Sequence, residues 1–136
     1  MRVFVDANTL ISAIVFSGQE HEVLKLAMQK KAELITSESV IGEVLEVLQR
    51  KFPSKVGLVE EFLKLSEIQV ILKNDYASAI ESQVVRDLED KHVLAAAINS
   101  NCNFIVTGDK DLKILKNYKG IEIVTSRKLL EMAKTS

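Results

Sequence analysis

The stretch Val3-Phe4-Val5-Asp6-Ala7-Asn8 places a carboxylate where an apolar, β-branched run ends and a helical pattern begins. A second stretch of this kind, Phe104-Ile105-Val106-Thr107, is followed by Gly108 and Asp109. In a mainly parallel sheet the carboxyl ends of the strands meet at one edge, and ligands bind there. Asp6 and Asp109 are therefore expected at the edge where a site forms.

Outward from these two runs, β-branched stretches alternate with helical patterns along the chain. Strands are predicted at 2–5, 33–36, 69–72, 104–107 and 121–124. Helices are predicted to begin near residue 8 or 9 and to cover 38–51, 55–66, 76–84, 88–101, 110–116 and 126–134. Ser17-Gly18-Gln19-Glu20 resembles a capping box that opens a further helix to about residue 31. The alternation predicts an α/β fold, a three-layer α/β/α sandwich around a mainly parallel sheet.

The size and composition are those of one globular domain over residues 1–136, with one hydrophobic core. The longest apolar runs, 10–16 and 93–98, are shorter than the ~20 residues that a membrane span needs. The single cysteine, Cys102, excludes an internal disulfide and is expected to be a packing residue in a reducing interior. Arg2 is followed by Asp6 before any apolar stretch, so we expect no secretory signal and a cytoplasmic protein.

The net charge of −1 argues neither for nor against a nucleic-acid partner, but the acids are unevenly distributed. Four short segments place acids beside apolar residues, and they hold Asp6, Glu43, Asp87 with Asp90, and Asp109. Unpaired buried carboxylates are costly and repel one another. Either these acids lie far apart in the fold, or a multivalent cation holds them together. If they cluster, the remaining surface must be net basic, which suits a polyanionic substrate.

Helical phase separates the acids that point inward from those that do not. On helix 38–51, Glu43 falls at the margin of the apolar arc, whereas Glu46 points towards solvent. On the helix that starts near residue 88, Asp90 projects onto the same side as Val93, while Asp87 is placed as an N-cap. A carboxylate within an apolar face, such as that of Asp90, needs a partner.

The acids also have purely structural explanations, which the sequence leaves open. Asp6 and Asp109 are suited to cap the helices that follow them, and Asp111 is an ordinary first-turn acid. Glu43 is suited to a salt bridge at the rim of the core.

Other chemistries find little support. His21 and His92 are expected to be structural or exposed, and no Cys/His spacing suggests a zinc site. No glycine-rich phosphate loop and no Ser-His-Asp arrangement is visible. The oxygen ligands that remain favour hard cations such as Mg²⁺ or Mn²⁺.

Four motifs follow one another in a characteristic order. They are Val5-Asp6-Ala7-Asn8-Thr9-Leu10, Ser39-Val40-Ile41-Gly42-Glu43-Val44, Asp87-Leu88-Glu89-Asp90 with Val93-Leu94-Ala95-Ala96-Ala97, and Ile105-Val106-Thr107-Gly108-Asp109-Lys110-Asp111-Leu112. Together they resemble the PIN domain family, the metal-dependent ribonuclease fold of VapC-type toxins in toxin–antitoxin pairs. The motifs span nearly the whole chain, and the last is the most specific.

The resemblance implies roles for particular residues. The metal-binding and catalytic quartet would be Asp6, Glu43, Asp90 and Asp109, the auxiliary acid Asp111, and the polar supports Asn8 and Thr107. The resemblance also implies a five-stranded parallel sheet and frequent homodimers. One departure is Lys91, which stands where some members carry a further acid.

The expected function is that of a metal-dependent endoribonuclease that hydrolyses RNA and leaves a 5′-phosphate. It would be the toxin of a pair with an antitoxin protein. One or two Mg²⁺ or Mn²⁺ ions would activate water and stabilise the leaving oxygen. Lys91, Lys110 and Lys113 are candidates for guiding the RNA backbone, with a solvated helix face as the alternative.

Three other functions remain open at this point. A catalytically silent PIN-like module that binds RNA or protein would share these motifs, and so would an RNA-processing nuclease that is not a toxin. An RNA cleavage assay separates the first from a nuclease, and a small partner encoded next door would favour the toxin. A phosphoacceptor receiver domain has a similar architecture, but it requires adjacent acids after the first strand, where Asp6 is followed by Ala7.

Overall fold

A central sheet organises the computed structural model, which describes residues 1–80 and 85–134. Its strands are β1 (Arg2–Val5), β2 (Glu33–Ser37), β3 (Gln69–Ile71), β4 (Phe104–Val106), β5 (Asn117–Tyr118) and β6 (Ile121–Val124). Their order is β3-β2-β1-β4-β6-β5, and each neighbouring pair is parallel except β5 with β6. The predicted mainly parallel sheet is confirmed, and all five predicted strands are in it. The additional strand β5 has two residues, too few to leave a pattern in the sequence.

Helices flank this sheet. They are α1 (Ala7–Val15), α2 (Gln19–Met28), α3 (Glu38–Lys51), α4 (Val59–Leu65), α5 (Lys73–Tyr76), α6 (Leu88–Asn99), α7 (Lys110–Leu115) and α8 (Ser126–Lys134). Short 3₁₀ segments cover Pro53–Leu58 and Ala77–Ala79. In the described part of the chain, no helix is both long and apolar enough to cross a membrane.

Helix α3 has the bounds that the sequence predicts. It begins after Ser37, whose Oγ accepts a hydrogen bond from the Val40 N–H at 3.1 Å, and it ends ahead of Pro53. The helix predicted over 55–66 is shorter than expected, because a 3₁₀ segment occupies its first residues. The prediction over 76–84 is wrong in its first residues, since α5 ends at Tyr76, and residues 81–84 lie outside the described part.

The capping box predicted at residues 17–20 is also wrong. The N-cap of α2 is Gly18, with no side-chain capping bond, and Ser17 lies in the turn before it. Helix α1 extends to Val15, so only residues 16–18 remain to connect the two helices. Because α2 starts one residue later than a cap at Ser17 would require, the reciprocal Ser–Glu arrangement does not form.

The register of the sheet brings distant residues to one edge. Val3, Phe4 and Val5 are completely buried, and Val5 pairs with Val106 across the β1–β4 ladder. The residues that follow these two are Asp6 and Thr107, so they lie side by side at the carboxyl ends of the strands.

Cys102 is buried, as expected of a packing residue. Burial raises the pKa of its thiol to about 11, so the thiol is neutral at physiological pH. A neutral buried thiol is a poor nucleophile. This agrees with the packing role rather than a catalytic one.

Candidate metal centre

An acidic pocket of about 110 Å³ lies beyond the carboxyl ends of β1 and β4. All four acids of the predicted quartet line it. The lining acids are Asp6, Glu43, Asp87, Glu89, Asp90 and Asp109, and Asn8 lies among them. The alternative in which these acids lie far apart in the fold is wrong.

Asp6 is fixed in this pocket by hydrogen bonds to both of its carboxylate oxygens. It is 5% exposed, and its Oδ1 accepts the Thr9 N–H at 2.9 Å, which makes it the N-cap of α1. Its Oδ2 accepts a short hydrogen bond from the Thr107 hydroxyl. Asp6 therefore caps α1 as predicted, and its side chain forms part of the pocket wall.

Thr107 links two of the pocket acids. Its hydroxyl oxygen donates to Asp6 and accepts the Asp109 N–H at 3.0 Å. Asp109 in turn caps α7, since its Oδ1 accepts the N–H groups of Asp111 at 2.8 Å and Leu112 at 3.1 Å. The contacts of Thr107 are those that a polar support would make.

The tightest carboxylate cluster joins Asp90, Asp109 and Asp111. One oxygen from each lies within 4.8 Å of the others. Asp90 is buried, Asp109 is half-buried and Asp111 is exposed, so the cluster runs from the pocket floor to solvent. Asp111, predicted as an auxiliary acid, is one of the three members of this cluster.

Burial and neighbouring negative charges raise the pKa values of three acids in the pocket. Burial, and then the neighbouring Asp109, raise the pKa of Asp90 to about 7. Burial is also the main reason that the pKa of Asp6 is raised, although the hydrogen bond from Thr107 opposes it. Burial and the charge of Glu89 raise the pKa of Glu43. Carboxylates held in this state are stabilised by a bound cation.

Helical phase correctly separates Glu43 from Glu46. Glu43 is half-buried and lines the pocket, whereas Glu46 is exposed and pairs with Arg50 at 3.2 Å. Between Glu43 and the other described residues the structure shows no ion pair, so the alternative of a rim salt bridge is not supported there.

The histidines are structural, as predicted. His92 is buried, with its Nδ1 2.8 Å from the Tyr76 hydroxyl oxygen and the two rings edge to face. His21 is half-buried, and its Nδ1 lies 3.0 Å from the carbonyl oxygen of Ala13.

The lysines proposed as substrate contacts lie around the pocket rather than in its lining. Lys110 is exposed, and Lys91 and Lys113 are half-buried. The structure therefore does not place them against the acids. Their role in guiding RNA stays a prediction.

With this geometry described, the chain can be compared with known protein families. The sequence profile described as PIN domain matches residues 2–111. The chain belongs to the PIN domain family. The resemblance drawn from the four motifs is thereby confirmed. A search of curated proteins gives no significant match.

Solved PIN domain structures share the fold at low sequence identity. VapBC2 from Rickettsia felis, bound to a DNA fragment from its promoter, is 18% identical, with a TM-score of 0.65 over 90% of this chain and 97% of that one. FitAcB from Neisseria gonorrhoeae is 14% identical, with a TM-score of 0.63 over 92% and 98%. VapC20 from Mycobacterium tuberculosis, described as a sarcin-ricin loop cleaving toxin, is 13% identical, with a TM-score of 0.61 over 88% and 98%. These likenesses concern the fold.

Two acids of this PIN domain pocket were not expected there. Asp87 caps α6, as predicted, by accepting the N–H groups of Glu89 at 2.8 Å and Asp90 at 3.2 Å, and it also lines the pocket. Glu89 had no assigned role, yet it lines the pocket and accepts a hydrogen bond from the Ser39 hydroxyl at 3.4 Å. The sequence feature that could have indicated these two acids is the density of acids in residues 87–90. Which of them face the pocket depends on how α6 packs beside α3.

Proposed function

We propose that this PIN domain, taken as one domain over residues 1–136, is a divalent-metal-dependent endoribonuclease. The observation that supports the proposal best is the cluster of Asp90, Asp109 and Asp111, whose carboxylate oxygens lie within 4.8 Å of one another. The raised pKa of about 7 at Asp90 adds that this charge is unfavourable without a cation.

The residues present fit a hard divalent cation. The donors are carboxylate oxygens, which suit Mg²⁺ and Mn²⁺, and neither histidine lines the pocket. The ion pairs formed between described residues, such as Arg50 with Glu46, all lie outside this pocket. We assign Asp6, Glu43, Asp90 and Asp109 as ligands of one or two ions, with Asp111 as a further ligand at the solvent side.

The chain's own groups would position the RNA. A divalent cation bound here would supply a low-pKa water and stabilise negative charge on the phosphate. Asn8 lies exposed in the pocket lining, where its amide can donate to a phosphate oxygen. Thr107 keeps Asp6 and Asp109 in a fixed relation. Lys110 and Lys113, on the helix that follows Asp109, would attract the RNA backbone.

We further propose that the protein is the toxin of a toxin–antitoxin pair, with RNA as its substrate. Two of the similar structures are named as the complexes VapBC2 and FitAcB, and the third as a toxin that cleaves the sarcin-ricin loop. An antitoxin protein is accordingly the proposed partner. A homodimer is a further expectation carried by the family, and the proposed site of action is the cytoplasm.

An RNA cleavage assay with matched glutamate variants tests the nuclease proposal. Glu43→Gln and Glu46→Gln make the same chemical change on one helix, but only Glu43 lines the pocket. We expect RNA cleavage with Mg²⁺ or Mn²⁺ that stops with a chelator. Glu43→Gln is expected to lower the rate of cleavage by about 100-fold or more, because it removes a preorganised charge. Glu46→Gln is expected to cleave at nearly the rate of the unchanged chain.

Contrary results are equally specific. Cleavage that survives both the chelator and the Glu43→Gln change would exclude the metal-dependent site. Binding of Mn²⁺ without cleavage of any RNA would indicate the catalytically silent binding module. Cleavage with no inhibition by a protein encoded beside it would favour an RNA-processing nuclease.

A further inference from the structure

A second cleft, of about 340 Å³, lies directly beside the acidic pocket. Asn8 lines both, and Thr107 with Gly108 forms the wall between them. The far side of the cleft is the start of α8, with Thr125 and Arg127. The cleft and the acidic pocket therefore adjoin at Asn8.

The lining of this second cleft differs in charge from that of the acidic pocket. Among the residues that the structure describes, the charged ones in its lining are Glu20 and Arg127, and the rest are mainly amide and hydroxyl groups, among them Gln19 and Thr125. The Thr125 hydroxyl accepts the Lys128 N–H at 3.2 Å and keeps its own hydrogen to donate. Such a surface can hydrogen-bond a polar ligand without repelling its phosphate as the acidic pocket would.

Arg127 is available to a ligand. Its Nε lies 3.4 Å from Oε1 of Glu131, but the two side chains are 77% and 57% exposed. An ion pair this exposed contributes little to stability, so its replacement by a phosphate contact is inexpensive. A guanidinium group also binds phosphate in a two-pronged geometry.

The shape and chemistry fit one nucleotide. The volume falls in the range of small-molecule sites, about 300–1,000 Å³. The described residues of the cleft lining include no aromatic side chain, so base recognition would come from hydrogen bonds rather than stacking. Gln19 and Glu20 offer amide and carboxylate groups of the kind that read base edges. Because Glu20 repels phosphate, the phosphate belongs at Arg127 and the base at Gln19 and Glu20.

We propose that this cleft binds the nucleotide next to the scissile bond of a single-stranded RNA, with Arg127 on its phosphate and Gln19 and Glu20 on its base. The inference rests on the proposed ribonuclease function. A strand whose scissile phosphate lies at the acids must carry the next nucleotide over the pocket rim. This cleft is an adjoining concave surface that is not acidic.

Arginine variants test the phosphate contact. Arg127→Gln has a matched control in Arg50→Gln, because both arginines form exposed i,i+4 pairs with a glutamate and only Arg127 lines the cleft. RNA affinity is measured by fluorescence anisotropy with mixed-sequence single-stranded RNA and Mg²⁺, in a Glu43→Gln background that prevents cleavage. Arg127→Gln is expected to raise Kd about five- to tenfold, and Arg50→Gln less than twofold.

A second variant fills the cleft. A Cβ at Gly108 would meet no atom within 4 Å, and the backbone there is not in the left-handed region, so Gly108→Leu adds a side chain without a clash at Cβ or backbone strain. It is expected to weaken RNA binding as Arg127→Gln does, while the rise in Tm on adding Mn²⁺ is unchanged. Kd values within twofold of the background for both variants would overturn the inference, and so would equal weakening by Arg50→Gln.

The proposed contact with the base is tested by a separate measurement, in the chain without the Glu43→Gln change. Cleavage sites are mapped on an RNA library with randomised positions. Gln19→Ala is expected to change the base preference at one position beside the cut and at no other. An unchanged preference there would contradict the base contact. The absence of metal-dependent cleavage would refute the proposed function instead, and the anisotropy series would still decide whether the cleft binds RNA.

Discussion

Burial and like charge act together on the carboxyl group of Asp90. It is 7% exposed, and its pKa is raised to about 7. Its ordinary value is 3.8, so between about pH 4 and pH 7 the folded protein holds a proton that the unfolded chain has lost. Stability without metal therefore falls as pH rises through that window. The raised pKa values of Asp6 and Glu43 act in the same direction.

Asp90→Asn should separate stability from activity. Without metal at pH 8, the amide removes a buried charge, so we expect the free energy of unfolding to rise by about 1–2 kcal/mol and RNA cleavage to be lost. Between pH 5 and pH 8 the free energy of unfolding should also decline less in the variant than in the unchanged chain. Urea unfolding at both pH values, with a chelator present, measures this.

The control for this experiment is Asp75→Asn, which changes an exposed aspartate of α5. It should leave the difference in stability between pH 5 and pH 8 as it is. An Asp90→Asn protein that is less stable than the unchanged chain at pH 8 would contradict the electrostatic account.

The sequence could predict the inward acids because helical phase is a local property. The apolar neighbours of Glu43 and Asp90 lie on their own helices, and both side chains line the pocket as expected. The position of Glu89 could not be predicted in this way, because it depends on how α6 packs beside α3. The closeness of Asp111 to Asp90 has a similar cause, since it joins α7 to α6.

At the scale of elements, helix caps and pocket acids are the same residues. Asp6, Asp87 and Asp109 each cap a helix, and each lines the pocket. The helix N-termini that these caps stabilise carry partial positive charge, which favours nearby carboxylates. The sequence left open whether these residues cap helices or belong to a site. The structure is compatible with both roles for each of them.

Asp87 offers a test in which the cap and the charge are separated. Asp87→Ala removes the acceptor of two N–H groups at the start of α6 and should lower the free energy of unfolding by about 0.5–2 kcal/mol. Because Asp90 lies in that first turn, we expect cleavage to fall as well. Asp87→Asn keeps an accepting oxygen, so it should preserve most of the stability and most of the RNA cleavage.

Chemical unfolding and steady-state cleavage rates of the two variants give the comparison. If asparagine lowers cleavage as much as alanine does while stability is kept, the negative charge of Asp87 matters to the site more than its cap.

Element boundaries were predictable where side chains decide them and less so elsewhere. Ser37 and Pro53 bracket α3, and its bounds match the prediction. The start of α2 instead depends on the length of α1, and the two-residue β5 depends on its antiparallel partner β6. Neither constraint is visible within a short window of sequence.

For the whole molecule, the clustering of acids leaves the remaining chain basic. Six of the acids that the structure describes line the pocket, and Asp111 belongs to the carboxylate cluster beside them. The other 12 acids of the sequence stand against 18 lysines and arginines. A net charge near zero thus combines an acidic pocket with an excess of basic residues in the rest of the chain. Such a division suits a polyanion that is attracted by the surface and bound through a cation at the centre.

Added Mn²⁺ should stabilise the molecule in a pH-dependent way. At pH 8 the carboxyl group of Asp90 is ionised, whereas at pH 5.5 a cation must displace the proton on it. We expect 1 mM Mn²⁺ to raise Tm by about 5 °C or more at pH 8 and clearly less at pH 5.5. Differential scanning calorimetry measures both shifts.

Asp6→Asn should reduce the Mn²⁺ shift, and Glu46→Gln should leave it unchanged. Equal shifts at the two pH values would mean that the cation does not bind at the raised-pKa acids.

The hydrogen bond from Thr107 to Asp6 joins residues 101 positions apart, and this separation has a consequence for the timing of synthesis. At ~5–20 residues per second, roughly 5–20 s pass between the addition of the two residues to a growing chain. During that interval the acids near the start have emerged without those that complete the pocket. The proposed metal centre is therefore incomplete until the residues around Thr107 have been added to the chain, so the proposed cleavage activity cannot begin before then.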